Sequence, residues 1–512
     1  MAFEPGGETY EEQPYAELTY QQTHPDMLAP IGALLGLVPA PVPTARVLEL
    51  GCASGANIIA MAEVLPHAEF VGVDFSERQI EEGRGALREL GFANVSLLQG
   101  DIRDLAALDL GSFDYILAHG VYSWVPAEVR DALLAGIRSL LNPEGIAFVS
   151  YNALPGWSAM RSLREAMFYR TRDAASQTQR AEDAEAFYRL LQRANPPASS
   201  SYGHFLAEYE AHVDGRHQLG SDRAASLLLH DELADVNEPV YFHQFAEHAA
   251  SHGLQYLADA DFPSVFPSRL APAIQAELRQ LGKTTIEHQQ YLDLLTNATF
   301  KQTLLCHAER TLSRRLGDDP APLRGMFASS SAKPAAVGPN RQVQNFVGSD
   351  GARLAIESPV GKAAMAILIE RFPDRVAFPA LVGDAMERVG SAAPAYDAAE
   401  AQVAAILLQG FCYSYSLVEL RTTPAAYALK PGERPRTPAV ARRQVVGGYT
   451  AVTNLRHERV NVDALHSRLI TLFDGTRTRA EALAEVDEGS NRSAKRFERA
   501  VETLTEMGLF LP

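Results

Sequence analysis

The chain has 512 residues, which at roughly 150 per domain suggests about three domains. Hydrophobic residues make up 46% and charged residues 21%, which excludes an extensively disordered chain. The net charge of −17 argues against nucleic-acid binding by counterion release. Cys52, Cys306 and Cys412 are too few and scattered for a disulfide scaffold or a Cys-based zinc site, and fit a reducing cytoplasm. Glu4, Glu8, Glu11 and Glu12 stand where a signal peptide needs positive charge, and no apolar run reaches about 18 residues. A soluble cytoplasmic protein without membrane insertion is expected.

Strand and helix signals alternate from residue 46 onward. Val47 to Leu50 reads as a buried strand, Asn57 to Val64 as a helix, Phe70 to Asp74 as a strand and Glu77 to Leu90 as a helix closed by Gly91. Val95 to Leu98, Phe113 to Ala118 and Ile146 to Tyr151 are further strands, with a helix from Pro126 to Leu141. Such alternation requires an α/β fold, a parallel sheet with helices on both faces. Residues 158–236 read as helices only, and Tyr241 to Ser251 as another helix. Gly253 to Leu257 and Phe300 to Cys306 then return to strand patterning and are expected to pair antiparallel at the edge of the same sheet. This organises the chain as an N-terminal helical segment (1–45), a cofactor-binding core (46–157), a helical insertion or lid (158–236), completion of the core sheet (237–315), a linker (326–340) and a mainly helical, winged-helix-like region (341–512). A hairpin is expected to turn at Asp350-Gly351.

The turn after the first strand decides the cofactor class. A dinucleotide fingerprint would place its three glycines at Gly51, Ala53 and Ala56, and two of the three fail. The turn instead carries an acid before the first glycine (Glu49) and a second glycine at Gly55. That spacing suits S-adenosylmethionine (SAM), which has no pyrophosphate to cradle. Asp74 ends the second strand, where a carboxylate can accept both ribose hydroxyls. Asp101-Ile102 follows the third strand, where an acid and an apolar cover suit an adenine. The expected cofactor set is Glu49, Gly51, Cys52, Ala53 and Gly55, then Asp74, Phe75 and Gln79, then Asp101, Ile102, His119 and Gly120.

The segments RVLELGCASGAN, FVGVDFSERQI, GDIRD, FDYILAHGVYSWVP and VSYNALPGW resemble the bacterial class I SAM methyltransferases with a methyltransferase regulatory domain. The best-known members are rickettsial protein-lysine methyltransferases acting on an outer-membrane surface protein. TYQQTHPDMLA, LLHDELADVNEPVYFHQFAEH, FKQTLLCH, VTNLRHERV and LFDGTRTRAEAL extend the resemblance over nearly the whole chain. The family pattern has Asp where Ser54 stands and a further Gly at Ala56. The resemblance implies a Rossmann-like core, a SAM-dependent methyltransferase and a protein substrate, namely lysine side chains of a surface protein before its export. It also suggests that Tyr20, Thr23 and His24 close over the cofactor.

Methyl transfer from a sulfonium is an in-line displacement, so the protein must position a neutral nucleophile and exclude water. His119 to Trp124 follows the fourth strand and must pass the methyl group. Tyr122 is expected to orient the acceptor amine with its hydroxyl, Trp124 to wall a channel for a lysine stem, His119 to contact the cofactor or relay a proton, and Asn152 to accept a bond from the amine. Packing of Tyr122 and Trp124 against the sheet is the competing expectation, and for Asn152 an ordinary turn role. His243, His248 and His252 lie on one helix, but zinc needs a ligand from another element, so no metal is assigned. Arg434, Arg436, Arg442, Arg443, Arg456 and Arg459 are read first as intramolecular ion-pair partners. A small-molecule N- or O-methyltransferase and a catalytically silent SAM-binding scaffold are the alternatives, and the reading leaves a homodimer open.

Overall fold

Val47 points to one side of its strand and Leu48 and Leu50 to the other, and a strand apolar on both sides is stable only inside a sheet covered on both faces. A computed structural model describes residues 15, 17–217, 226–317, 319–335, 342–486 and 491–512. In it α1 (Pro25–Leu34) precedes β1 (Arg46–Leu50), α2 (Ala56–Val64), β2 (Glu69–Asp74), α3 (Glu77–Leu90), β3 (Val95–Gln99), β4 (Phe113–Ala118), α4 (Ala127–Leu140) and β5 (Leu141–Asn152). Neighbouring strands among these five are parallel. Val47 and Phe70 face one apolar layer with α1 and α2, whereas Leu48 and Val71 face the other with α4.

After β5 the chain leaves the sheet for α5 (Trp157–Thr171), α6 (Gln177–Ala194) and α7 (Ser201–His217), and returns through a π-helical turn at Leu228–Glu232. Leu163, Met167, Ala184, Tyr188, Leu206 and Leu229 give this insertion an apolar cluster of its own. Then α8 (Phe242–Ser251) leads into β6 (Leu254–Asp259), and α9 (Pro272–Leu281) and α10 (Thr285–Thr296) into β7 (Phe300–His307). β7 lies antiparallel between β5 and β6, which sets the order β3-β2-β1-β4-β5-β7-β6. Lys301 on β7 is buried with Asp259 at 2.6 Å and Asp293 at 3.0 Å, an ion triad that joins β6, β7 and α10.

Much of the stretch read as a linker is structured. β8 (Phe327–Ser329) and β9 (Lys333–Pro334) each join a three-stranded sheet, β9 with β10 (Gln344–Val347) and β11 (Arg353–Ile356), and β8 with β12 (Val376–Ala377) and β13 (Glu419–Arg421). Serine, alanine and proline look like turn residues locally, but Ala328 and Ala332 are buried in one cluster with Val376 and Leu420, partners remote in sequence. Residues 336–340 lie outside the described residues. The expected hairpin at Asp350-Gly351 joins β10 and β11.

The C-terminal half has two cores where the sequence suggested one winged-helix-like region. α11 (Pro359–Arg371), α12 (Phe378–Val389) and α13 (Tyr396–Tyr413) share their apolar layer with one face of the main sheet. α14 (Ala439–Val446), the hairpin β14 (Ala451–Thr453) and β15 (Arg459–Asn461), α15 (Ala464–Leu472), α16 (Arg479–Val486) and α17 (Asn491–Glu506) surround Val452, Leu469, Phe473, Phe497 and Phe510. Polar clamps hold both parts to the core. Asp26 accepts from Thr422 N at 2.7 Å and Thr423 N at 3.1 Å and pairs with Arg375, while Glu63 accepts from Ala439 N and Val440 N at the first turn of α14. The arginine stretch is largely spent within the chain: Arg443 meets Glu17 and Glu89, Arg456 meets Glu458, and Arg434 meets Glu481. Among the described residues no helix is long and apolar enough to cross a membrane.

Candidate functional site

The carboxyl ends of β1, β2 and β4 converge at one edge of the sheet, the place where open α/β sheets bind ligands. After β1, Gly51 N and Cys52 N both donate to Val73 O, at 2.8 and 3.2 Å, and fold the chain toward β2. Gly51 has φ +71°, and a Cβ there would lie 2.5 Å from Val121 Cγ2. Ala53 adopts φ +51°, the left-handed region that an L side chain disfavours. Its N–H donates to Asp74 Oδ2 at 2.7 Å, and Ser76 N donates to Asp74 Oδ1 at 2.9 Å. Asp74 therefore braces the turn after β1 as well as its own.

Glu49 is buried beneath this turn. Its Oε1 accepts from Asn57 Nδ2 at 2.7 Å, while Oε2 is buried without a partner. Burial, opposed by the Asn57 bond and reinforced by the charge of Asp74, pushes the carboxyl up to about 8. A cation brought to Oε2 would satisfy both the orphan oxygen and the suppressed charge. Asn57 is a hub: its Oδ1 accepts from Tyr20 N at 3.1 Å and from His457 Nε2 at 2.8 Å, and its Nδ2 also donates to Thr23 Oγ1 at 3.0 Å. His457 comes from the turn between β14 and β15, so the C-terminal unit reaches the back of the site.

His119 follows β4. Its ring centroid is 3.7 Å from that of Tyr20 and its Nδ1 is 3.1 Å from Ser150 Oγ. Burial pushes its pKa down to about 3, so the imidazole is neutral at physiological pH. The Tyr20 phenol is shifted upward by burial, with a bond from Tyr15 opposing and the charges of Asp231 and Glu49 adding to the rise. Asp231 and His230 belong to the π-helical turn, and the His230 ring is 5.7 Å from that of Tyr15. Single π-turns of this kind recur at functional sites. The result is a site with acids below, aromatics across, and the insertion at its rim.

Residues 42–195 match the model of a methyltransferase domain, residues 224–307 that of a predicted methyltransferase regulatory domain, and residues 433–506 that of the PKMT C-terminal winged helix domain. An uncharacterized protein of Rickettsia prowazekii is 30% identical over 522 aligned residues, covering 98% of this chain and 91% of the relative. The structure of PKMT2 from Rickettsia typhi is similar with a TM-score of 0.81 and 26% identity, over 98% of this chain and 100% of that one. The same R. typhi protein has also been solved in complex with AdoHcy, at 25% identity. The chain belongs to this family of SAM-dependent methyltransferases. S-adenosylmethionine is its cofactor.

In this methyltransferase Glu49, Gly51, Ala53, Gly55, Asp74 and His119 gather around the turn and the strand ends just described. Phe75 stands exposed beside Asp74, and Gly120 turns the chain with φ +69°. Ile102 opens a short helix after β3, and Asp101 is held below the usual carboxylate range by the Arg103 guanidinium, while the Arg103 backbone N–H donates to its Oδ1 at 2.8 Å. Cys52 is buried, and a Cβ on Gly72 would lie 2.7 Å from its sulfur, so its side chain packs between strand and turn. Gln79 Oε1 accepts from Tyr15 N at 3.2 Å.

The residues expected to do chemistry divide. Tyr122 does not point its hydroxyl at an acceptor: it is 3% exposed, and that hydroxyl lies 2.8 Å from His248 Nδ1. Its ring packs against Phe245 and Tyr151, because the turn at Gly120 directs Tyr122 into the layer between the sheet, α4 and α8. Asn152 is likewise buried, with N donating to Ser123 Oγ at 2.9 Å and Nδ2 to Asn237 Oδ1 at 3.2 Å, so it latches β5 to neighbouring loops. Trp124 is half-buried, and its Nε1 is buried without a partner. His24 caps α1 by accepting from Asp26 N. Asn57, His457, Tyr15 and Asp231 also border this region, and sequence patterning does not single them out. Asn57 had one visible signal, an amide in the first turn of a largely apolar helix.

Proposed function

We propose that this chain is a protein-lysine N-methyltransferase. The observation that carries the reading is that its similarity to PKMT2 runs through the regulatory and winged-helix regions as well as the catalytic core. When bound, SAM supplies a sulfonium-activated methyl group that a deprotonated amine displaces in line. Asp74 would hold the ribose hydroxyls, and Phe75, Asp101 and Ile102 would border the adenine. Glu49 would meet the amino-acid ammonium through its orphan oxygen, and Gly51, Ala53 and Gly55 would let the backbone approach closely.

On the acceptor side Tyr20 and His119, rather than Tyr122 and Asn152, would face the acceptor amine. A neutral His119 adds no positive charge beside a sulfonium, and its ring fixes the Tyr20 phenol by contact. Tyr20 stays protonated and can donate a hydrogen bond or present its ring face to an amine. Asp231, at the rim, favours the approach of a lysine ammonium, whose proton must leave before transfer.

The test is transfer of radiolabelled methyl from SAM to total cell protein, followed by mass spectrometry of labelled bands. Methylated lysine side chains are expected. Label found only in dialysable small molecules would replace this reading with a small-molecule methyltransferase. No transfer by a chain that binds SAM would point to a silent scaffold.

A further inference from the structure

We propose that Asp131, His248 and His252 form a transition-metal site that fastens α4 to α8. His248 lies in the last turn of α8 and His252 is its C-cap, four residues apart on one face. The ligand that a two-histidine pattern lacks comes from α4. Asp131 Oδ1 lies 2.9 Å from His252 Nε2 and 3.4 Å from His248 Nε2, and the three ligand atoms fall within 4.8 Å of one another. Tetrahedral zinc with bonds of about 2.0–2.2 Å spaces its ligand atoms about 3.3–3.6 Å apart, so ordinary side-chain rotations bring these three into a coordination sphere. Asp131 is exposed, which leaves the remaining position to water.

The surroundings are those of a ligating histidine. His248 directs Nε2 toward Asp131 and has Nδ1 2.8 Å from the Tyr122 hydroxyl. With a metal on Nε2 the proton sits on Nδ1 and is donated to the Tyr122 oxygen, the outer bond that fixes ring orientation and tautomer. Tyr122 is itself fixed by Phe245, Tyr151 and the Arg130 guanidinium. The site thus adjoins the segment that borders the cofactor turn, since Val121, next to Tyr122, limits the space at Gly51. Two nitrogens and one carboxylate oxygen suit Zn2+, with Co2+ as its spectroscopic stand-in.

The experiment is Zn2+ titration of the full chain by calorimetry, with Co2+ absorption in parallel and thermal melts of every variant. Saturable binding of a single ion, visible bands of tetrahedral Co2+ and a Zn2+-dependent rise in melting temperature are expected. Asp131→Asn and His252→Gln should each weaken Zn2+ binding by about 100-fold or more. His243→Gln should leave it unchanged, because His243 on the same helix is bonded to Gln290. Asp131→Asn alters one exposed side chain, so it remains informative if His252→Gln fails to fold. Absent saturable binding, or Zn2+ binding that Asp131→Asn leaves intact, would reduce the cluster to a histidine–carboxylate ion pair and overturn the proposal.

Discussion

If Glu49 meets the ammonium of the cofactor, binding must expel a proton. The free carboxyl reference is 4.5 and burial raises the folded value to about 8. At pH 7 the group is then roughly nine-tenths protonated without ligand, and an adjacent cation returns it toward its ordinary range. AdoHcy, which carries the same ammonium, should therefore release about 0.9 proton at pH 7, and its affinity should rise roughly ninefold between pH 6 and pH 7. The unliganded protein should show the converse. Its raised carboxyl costs nothing below about pH 4.5, and stability then falls as pH rises toward 8, by about 3 kcal/mol at pH 7. Calorimetry in buffers of different ionisation enthalpy reads the proton directly, and Glu49→Gln should abolish the release and flatten the pH dependence. Wild-type binding with no proton released and an affinity independent of pH would refute the placement of Glu49 against the ammonium.

Asp74→Ala should weaken AdoHcy binding by about 1.5–3 kcal/mol, or roughly 10- to 150-fold, from lost charged hydrogen bonds. It should also lower the melting temperature, since Ala53 N and Ser76 N lose their acceptor; unchanged affinity in a folded variant would move the ribose elsewhere. Ala53→Gly should raise stability by up to about 1 kcal/mol, as relief of a positive φ exceeds the entropy that glycine adds to the unfolded chain. A destabilised variant in denaturant titration would count against strain at that position. Lys301→Met should destabilise by about 3–5 kcal/mol at neutral pH, because Asp259 and Asp293 are left buried together, and should recover on acidification as one of them protonates. Asp293 is already pushed up to about 6 by burial, so the recovery should be visible in melts taken between pH 7 and 5.

The proposed cofactor end of the site was written in local sequence because it depends on local chemistry. Glu49, Gly51, Gly55, Asp74 and Asp101 each sit at or just beyond the end of an apolar strand, and alternation of strand and helix carries those ends to one edge of the sheet. The strands at 254–259 and 300–307 were equally legible, since a short, largely apolar run of strand length reads as a buried strand whatever lies between. The proposed acceptor side was not legible, because it would be made by contacts between residues far apart in the chain. Tyr122 and Tyr20 are both aromatic residues beside the expected path of the methyl group, and no local pattern says which ring faces the site. A left-handed glycine at 120 and the arrival of His248 on α8 turn Tyr122 into the core. His119 received Tyr20 instead, 99 positions away, and Asn57 received His457 from 400 positions away. The same reason hid Asp131: two histidines at helical spacing are visible in sequence, but the carboxylate that completes their cluster lies 121 residues from His252 and reaches it only through the packing of α4 against α8.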